Sequence, residues 1–106
     1  MEDFLRVMQA LNDRSRLEIL IFLKAQEDML CVCDLQHSLN MIQSRLSRHL
    51  KILKEAGFLE FVRKGTWAYY GIKKDLRPLC ASLLQELDHL QIDIPPLVRI
   101  SCKISQ

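Results

Sequence analysis

Glycine and proline are scarce in this sequence, three of each in 106 residues, and aromatic residues make up only 7%. So little turn-forming material excludes a collagen-like repeat, a low-complexity linker and a loop-rich disulfide scaffold. Long apolar runs are missing too. The longest stretch without a charge, Leu35 to Ser44, contains Gln, His, Ser and Asn, whereas a membrane-spanning helix needs roughly 20 apolar residues. The opening Met1-Glu2-Asp3-Phe4 is acidic, unlike the basic start and apolar stretch of a secretory signal, so a cytoplasmic location is expected. There the four cysteines, Cys31, Cys33, Cys80 and Cys102, are reduced thiols, which favours metal binding or sensing over a disulfide framework.

What is present is a composition for one compact domain: 49% hydrophobic and 26% charged residues, with a formal net charge of only +2. That small balance conceals an asymmetry. Residues 43–77 hold nine Lys/Arg against Glu55, Glu60 and Asp75, a local +6, which leaves −4 on the remainder. A basic segment on an otherwise acidic domain is the footprint of a phosphate-contacting surface, although a solvated charged face gives the same count.

Hydrophobic spacing predicts five helices and a hairpin. The first helix, Glu2 to Leu11, carries the stripe Phe4, Leu5, Met8 and Leu11. Asn12-Asp13 offers N-caps for a second, nearly all-apolar helix from Arg14 to Ala25. A third helix opens at Leu30-Cys31-Val32-Cys33 and closes near Leu39. Asn40 with Gln43 three residues on resembles a capping box for a fourth, Met41 to Ala56, with Leu46, Leu50 and Leu53 inward and Gly57 as its stop. Phe58 to Arg63 and Thr66 to Ile72, with Lys64-Gly65 between them, read as a β-hairpin. Asp75 is a candidate cap for the last helix, whose leucine seam runs from Leu76 to Leu90. A chain this small can hardly cover that seam from within, so a second copy is expected to meet it. Residues 1–92 form the domain, and residues 93–106, after Pro95-Pro96, a short mobile tail. The fold class is mostly α with a β-hairpin, a dimeric winged helix-turn-helix.

Three segments, Ala10 to Leu20, Leu30-Cys31-Val32-Cys33-Asp34-Leu35 and Leu46-Ser47-Arg48-His49-Leu50 running on to Leu59, resemble the ArsR/SmtB metal-sensing repressors. The Cys-Val-Cys-Asp-Leu run narrows the resemblance to the arsenic- and antimony-responsive branch. It implies a homodimer, paired through the first and last helices, that binds double-stranded operator DNA and is released by metal. The branch often carries a further cysteine where this chain has Gln36, so a third thiolate must come from elsewhere. Its recognition helix commonly starts with serine where this chain has Ile42.

With the fourth helix in the major groove, Gln43, Ser44, Arg45, Ser47 and Arg48 lie at its reading end. Arg48 suits a guanine edge, Gln43 an adenine, and either serine a phosphate. His49 and Lys51 are expected as backbone contacts or helix-surface residues, and Arg63 and Lys64 at the hairpin tip reach a flanking minor groove or phosphates. A dimer spacing its helices by about 34 Å reads an imperfect inverted repeat.

Cys31 and Cys33 at a helix start are candidate thiolate ligands for a soft ion, arsenite or antimonite, with cadmium, lead and zinc as alternatives. In a regular helix, residues two apart point about 200° away from each other, so closing both on one ion would distort the first turn. Cys102 is the first candidate for a third ligand, ahead of Cys80, His37 and an exogenous thiol or hydroxide. The same cysteines also suit a redox sensor bridging to Cys80 or Cys102, or plain packing as small hydrophobes. A winged-helix module for protein partners is a further alternative. Catalysis is not expected, since no nucleophile triad or glycine-rich phosphate loop is present.

Overall fold

A computed structural model describes residues 1–99. Its elements are α1 (Glu2–Leu11), α2 (Arg14–Lys24), β1 (Leu30–Cys31), α3 (Val32–Leu39), α4 (Gln43–Ala56), β2 (Leu59–Lys64), β3 (Trp67–Ile72) and α5 (Pro78–Leu87). The strands form one antiparallel sheet in the order β1-β3-β2. This is the winged helix-turn-helix architecture expected from the sequence, with an added short strand.

The core gathers Ile19, Leu20, Phe22 and Leu23 of α2, Leu35 of α3, Leu46, Leu50 and Leu53 of α4, Phe58, and Cys80, Leu84 and Leu87 of α5. Asp13 caps α2 as expected, its carboxylate accepting from the Arg16 amide at 3.1 Å. At the other end of α2, the Lys24 ammonium donates to the Leu84 carbonyl and to Asp88, each at 2.7 Å, fastening α2 to α5.

In α1 the expected stripe is not the buried one. Val7 and Ala10 face the core at 1% and 0% exposure, while Phe4 and Leu5 remain 48% and 51% exposed. At 3.6 residues per turn these are two apolar arcs roughly 140° apart, and one packed neighbour covers only one of them. Leu90, expected in the leucine seam, lies beyond the end of α5 and is 44% exposed.

Several boundaries differ from expectation, and four have an identifiable cause. Cys31 is extended (φ −65°, ψ 143°) and belongs to β1, pairing with Tyr69 of β3, so α3 starts at Val32 rather than Leu30. Asn40 adopts the left-handed conformation (φ 52°, ψ 54°) and ends α3, so it cannot also cap α4; Ile42 occupies that N-cap with no side-chain bond. Lys64 pairs with Trp67, which makes Gly65-Thr66 the two-residue turn, with Gly65 at φ 62° in its leading position. Pro78 is the first residue of α5. A residue before proline is driven to extended backbone, and Arg77 at ψ 152° keeps Asp75 outside the helix.

The described part of the tail is docked. Ile94 and Leu97 pack against the core. The Val98 amide donates to the Ser38 hydroxyl at 2.7 Å, and that hydroxyl donates back to the Val98 carbonyl at 3.3 Å. Among the described residues no helix is long and apolar enough to cross a membrane.

One close approach is testable. A Cβ on Gly71 of β3 would stand 2.9 Å from Met29 Cγ and 3.3 Å from Met29 Cα. Gly71→Val should therefore lower stability by about 2 kcal/mol through overpacking. In urea this reads as a lower midpoint at unchanged slope; an unmoved midpoint would show that the loop before β1 yields freely.

Candidate nucleic-acid interface and thiol site

Three-residue and four-residue spacing on α4 sends Leu46, Leu50 and Leu53 into the core and leaves Gln43, Ser44, Arg45, Ser47, Arg48 and Lys51 exposed along one outer face. Arg45 is also anchored, its guanidinium donating to the Ser15 hydroxyl at 2.7 Å. On the hairpin, the Arg63 guanidinium stands 5.5 Å from the centre of the Phe61 ring and the Lys64 ammonium 5.5 Å from that of Tyr69. Rings beneath these cations orient the exposed tip of the wing without neutralising it.

His49 is not on that outer face. It lies three residues after Leu46 and four before Leu53, on the inward side, and only 6% of it is exposed. Its Nδ1 is 3.2 Å from Arg16 Nη1. Burial pushes the His49 imidazole below its ordinary titration range; Asp13 opposes this, and the cations of Arg16, Arg45 and Arg48 reinforce it. Asp13 is itself held low: burial works against its charged form, but the Arg16 amide and the Arg16 charge prevail.

Cys31 is buried at 1% exposure and acts as the N-cap of α3, its Sγ accepting from the Cys33 amide at 3.3 Å. Because Cys31 ends a strand and only Cys33 lies on the helix, the 200° separation expected for two helical residues does not describe this pair. Both cysteines line a cleft of about 440 Å³. Its other walls include Gln36 of α3, Gln43 and Ser47 of α4, and Phe61, Arg63, Thr66, Trp67 and Tyr70 of the hairpin region. Thiols, recognition helix and wing thus share one space. No local pattern in the sequence announces this cleft, since it depends on β1 joining β3.

Other candidate ligands fall elsewhere. Cys80 is fully buried, its thiol directed to the Ala56 carbonyl at 3.8 Å. Ala56 ends the helix that Gln43 begins, and Cys80, seated beside it, is not among the residues that line the cleft with Cys31 and Cys33. His37 is exposed and lines a different hollow with Gln36, Asn40, Met41 and Ile42. Asp34 is fully buried and pairs with Arg99 at 3.6 Å. Cys102 lies outside the described residues, and among those described no three His, Cys, Asp or Glu side chains converge as a metal set.

Comparison with known proteins gives this geometry a context. A family model described as bacterial regulatory protein, arsR family, matches residues 13–60. The arsenical resistance operon repressor of Escherichia coli K12 is 30% identical over 103 residues, covering 92% of this chain and 87% of that protein. Arsenic resistance transcriptional regulator ArsR1 of Pseudomonas putida KT2440 is 45% identical over 65 residues; the match spans 61% of this chain and about half, 48%, of that relative's length. Among solved structures, the homodimeric winged helix-turn-helix DNA-binding domain Mb0332 of Mycobacterium bovis, a possible ArsR-family regulator, is similar with a TM-score of 0.69 and 32% identity, over 85% of this chain and 83% of that one.

Proposed function

The chain belongs to the arsR family of bacterial regulatory proteins, and from that membership we propose that it is a DNA-binding repressor that leaves its operator when trivalent arsenic or antimony binds Cys31 and Cys33. The observation that carries this reading is the shared cleft, which both cysteines line together with Gln43 and Ser47 of the recognition helix and Arg63 of the wing. A soft ion held by the two sulfurs acts on the same walls that meet DNA. A coupling of about 1–3 kcal/mol between the two events gives a useful drop in DNA affinity.

On DNA, α4 enters the major groove. Arg48 and Gln43 read base edges, Ser44 and Ser47 hold phosphate or base, and Arg45 and Lys51 act on the backbone. Arg63 and Lys64 reach the flanking minor groove. The uncovered arc of α1, with Phe4 and Leu5, and the exposed side of α5 join two copies and space their recognition helices by about 34 Å, matching an imperfect inverted repeat.

Cys102 supplies the third thiolate. Supporting this, the described end of the tail lies against α3, where the Val98 amide meets Ser38 and the Arg99 guanidinium meets Asp34, the neighbour of Cys33. Cys102→Ser should raise the arsenite concentration needed for release about tenfold or more, as expected when one of three strong ligand bonds is removed. An unchanged dose response in fluorescence anisotropy removes the tail from sensing.

The deciding experiment titrates the reduced protein on DNA from upstream of its own coding sequence with arsenite, antimonite, cadmium, lead and zinc. Release by stoichiometric arsenite or antimonite supports the proposal. Release only by cadmium, lead or zinc assigns another ion to the same fold.

A further inference from the structure

Arg16 joins three elements that the repressor reading uses separately. Its Nε donates to the Ala10 carbonyl at 2.7 Å and its Nη2 to the Gln9 carbonyl at 3.3 Å, both at the end of α1. Its Nη1 faces His49 Nδ1 at 3.2 Å, in the middle of α4. Only 12% of the Arg16 side chain is exposed, and Asp13 lies 3.8 Å away as its counter-charge. A guanidinium has donors and no acceptor, so this contact is a hydrogen bond only with His49 neutral, accepting through Nδ1 and carrying its proton on Nε2.

We propose that Arg16 and His49 form a positioning joint that fixes the recognition helix against α1, and so sets how two copies present their reading faces to DNA. The joint rests on the repressor reading in one respect: it matters for DNA because α4 reads the operator and α1 belongs to the dimer interface. Neither residue contacts the nucleic acid. They act through the angle at which exposed Arg48 and Gln43 are offered, so their removal should reduce selectivity for a two-half-site duplex more than general attraction to phosphate.

Protonation opens the joint. A charged His49 would turn a second N–H toward Arg16, and among the described residues the groups acting on it are mostly cationic: Arg16 from α2, Arg45 and Arg48 on its own helix, opposed by the anion Asp13 from the α1–α2 turn. The folded-state titration lies below the ordinary value near 6.5. The neutral ring therefore contributes fully above that pH, and its contribution falls as the pH drops from there through the folded value.

The test combines a tautomer measurement with two variants. Imidazole ¹⁵N spectra of the reduced parent protein at neutral pH should show His49 neutral with the proton on Nε2; a proton on Nδ1, or a charged ring, overturns the joint. DNA selectivity is read as the ratio of affinities for the duplex upstream of the chain's own coding sequence and for a scrambled duplex of equal length. His49→Leu, which removes the acceptor beside a buried guanidinium, should lower that ratio about tenfold. His49→Asn, which keeps an acceptor at the position of Nδ1, should hold it within about twofold, a residual set by imperfect acceptor geometry. Acidification from neutral pH through the folded-state titration of His49, which lies below the ordinary imidazole range, should lower the ratio in the parent and not in His49→Asn. A leucine variant with the parent's ratio, or an asparagine variant that falls as far as leucine, overturns the joint. Should the leucine variant not fold, the tautomer and the acid response of the parent and asparagine proteins still decide. A parent with no preference for its upstream duplex, but with the Nε2 tautomer, sinks the repressor reading and supports the contact.

Discussion

Cys31→Ser should abolish release by arsenite while leaving the fold and the DNA affinity of the ligand-free protein nearly unchanged. The substitution separates chemistry from structure because of where Cys31 sits. Its sulfur is the N-cap acceptor of α3, taking the Cys33 amide at 3.3 Å. A serine hydroxyl is among the best acceptors for that position, so the helix start is kept. A hydroxyl is a poor ligand for a soft ion, so the coupling of about 1–3 kcal/mol, or 5- to 150-fold in DNA affinity, should vanish. Anisotropy titrations with and without arsenite measure the response, and circular dichroism checks the helix. A serine variant still released at the parent's arsenite concentration would remove Cys31 from sensing altogether.

Arg48→Ala carries the second large effect. Arg48 is exposed on the outer face of α4, one residue beyond Ser47, which lines the thiol cleft. A bidentate contact with a guanine edge is worth about 1–3 kcal/mol of discrimination. Its removal should cost a corresponding 5- to 150-fold in operator affinity and relax sequence preference at one position of each half-site. Lys51→Ala offers the contrast: with one phosphate left unneutralised, binding should weaken for all sequences alike and the salt slope should fall by about one. Binding of Arg48→Ala with the parent's affinity and preference would mean that α4 presents a different face to the groove.

The parts of the fold legible in the sequence were those written in local chemistry. Asp13 is a cap because its carboxylate reaches the third amide on, and Gly57 ends α4 at φ 100° because it alone lacks a clashing Cβ. Leu46, Leu50 and Leu53 face inward through helical spacing. Asn40 shows the opposite case. It suits both the end of one helix and the start of the next, and the chain path between α3 and α4 chose the former. α1 carries apolar residues on two arcs, and periodicity cannot say which arc meets the neighbour; the small Ala10 and Val7 allow close approach to the core, and the bulkier Phe4 and Leu5 stay outside.

The sequence by itself determined the winged helix-turn-helix order, the basic segment within residues 43–77 and the pair Cys31 and Cys33, because composition, spacing and caps act over a few residues. Tertiary structure alone decided what those residues face. Pairing of Leu30-Cys31 with Tyr70 and Tyr69 took Cys31 out of the helix and set both cysteines in a cleft with α4 and the wing. Helix packing turned His49 from an expected surface residue into the acceptor for Arg16, thirty-three positions away. Contacts of that range depend on how whole elements dock, and no local propensity encodes them.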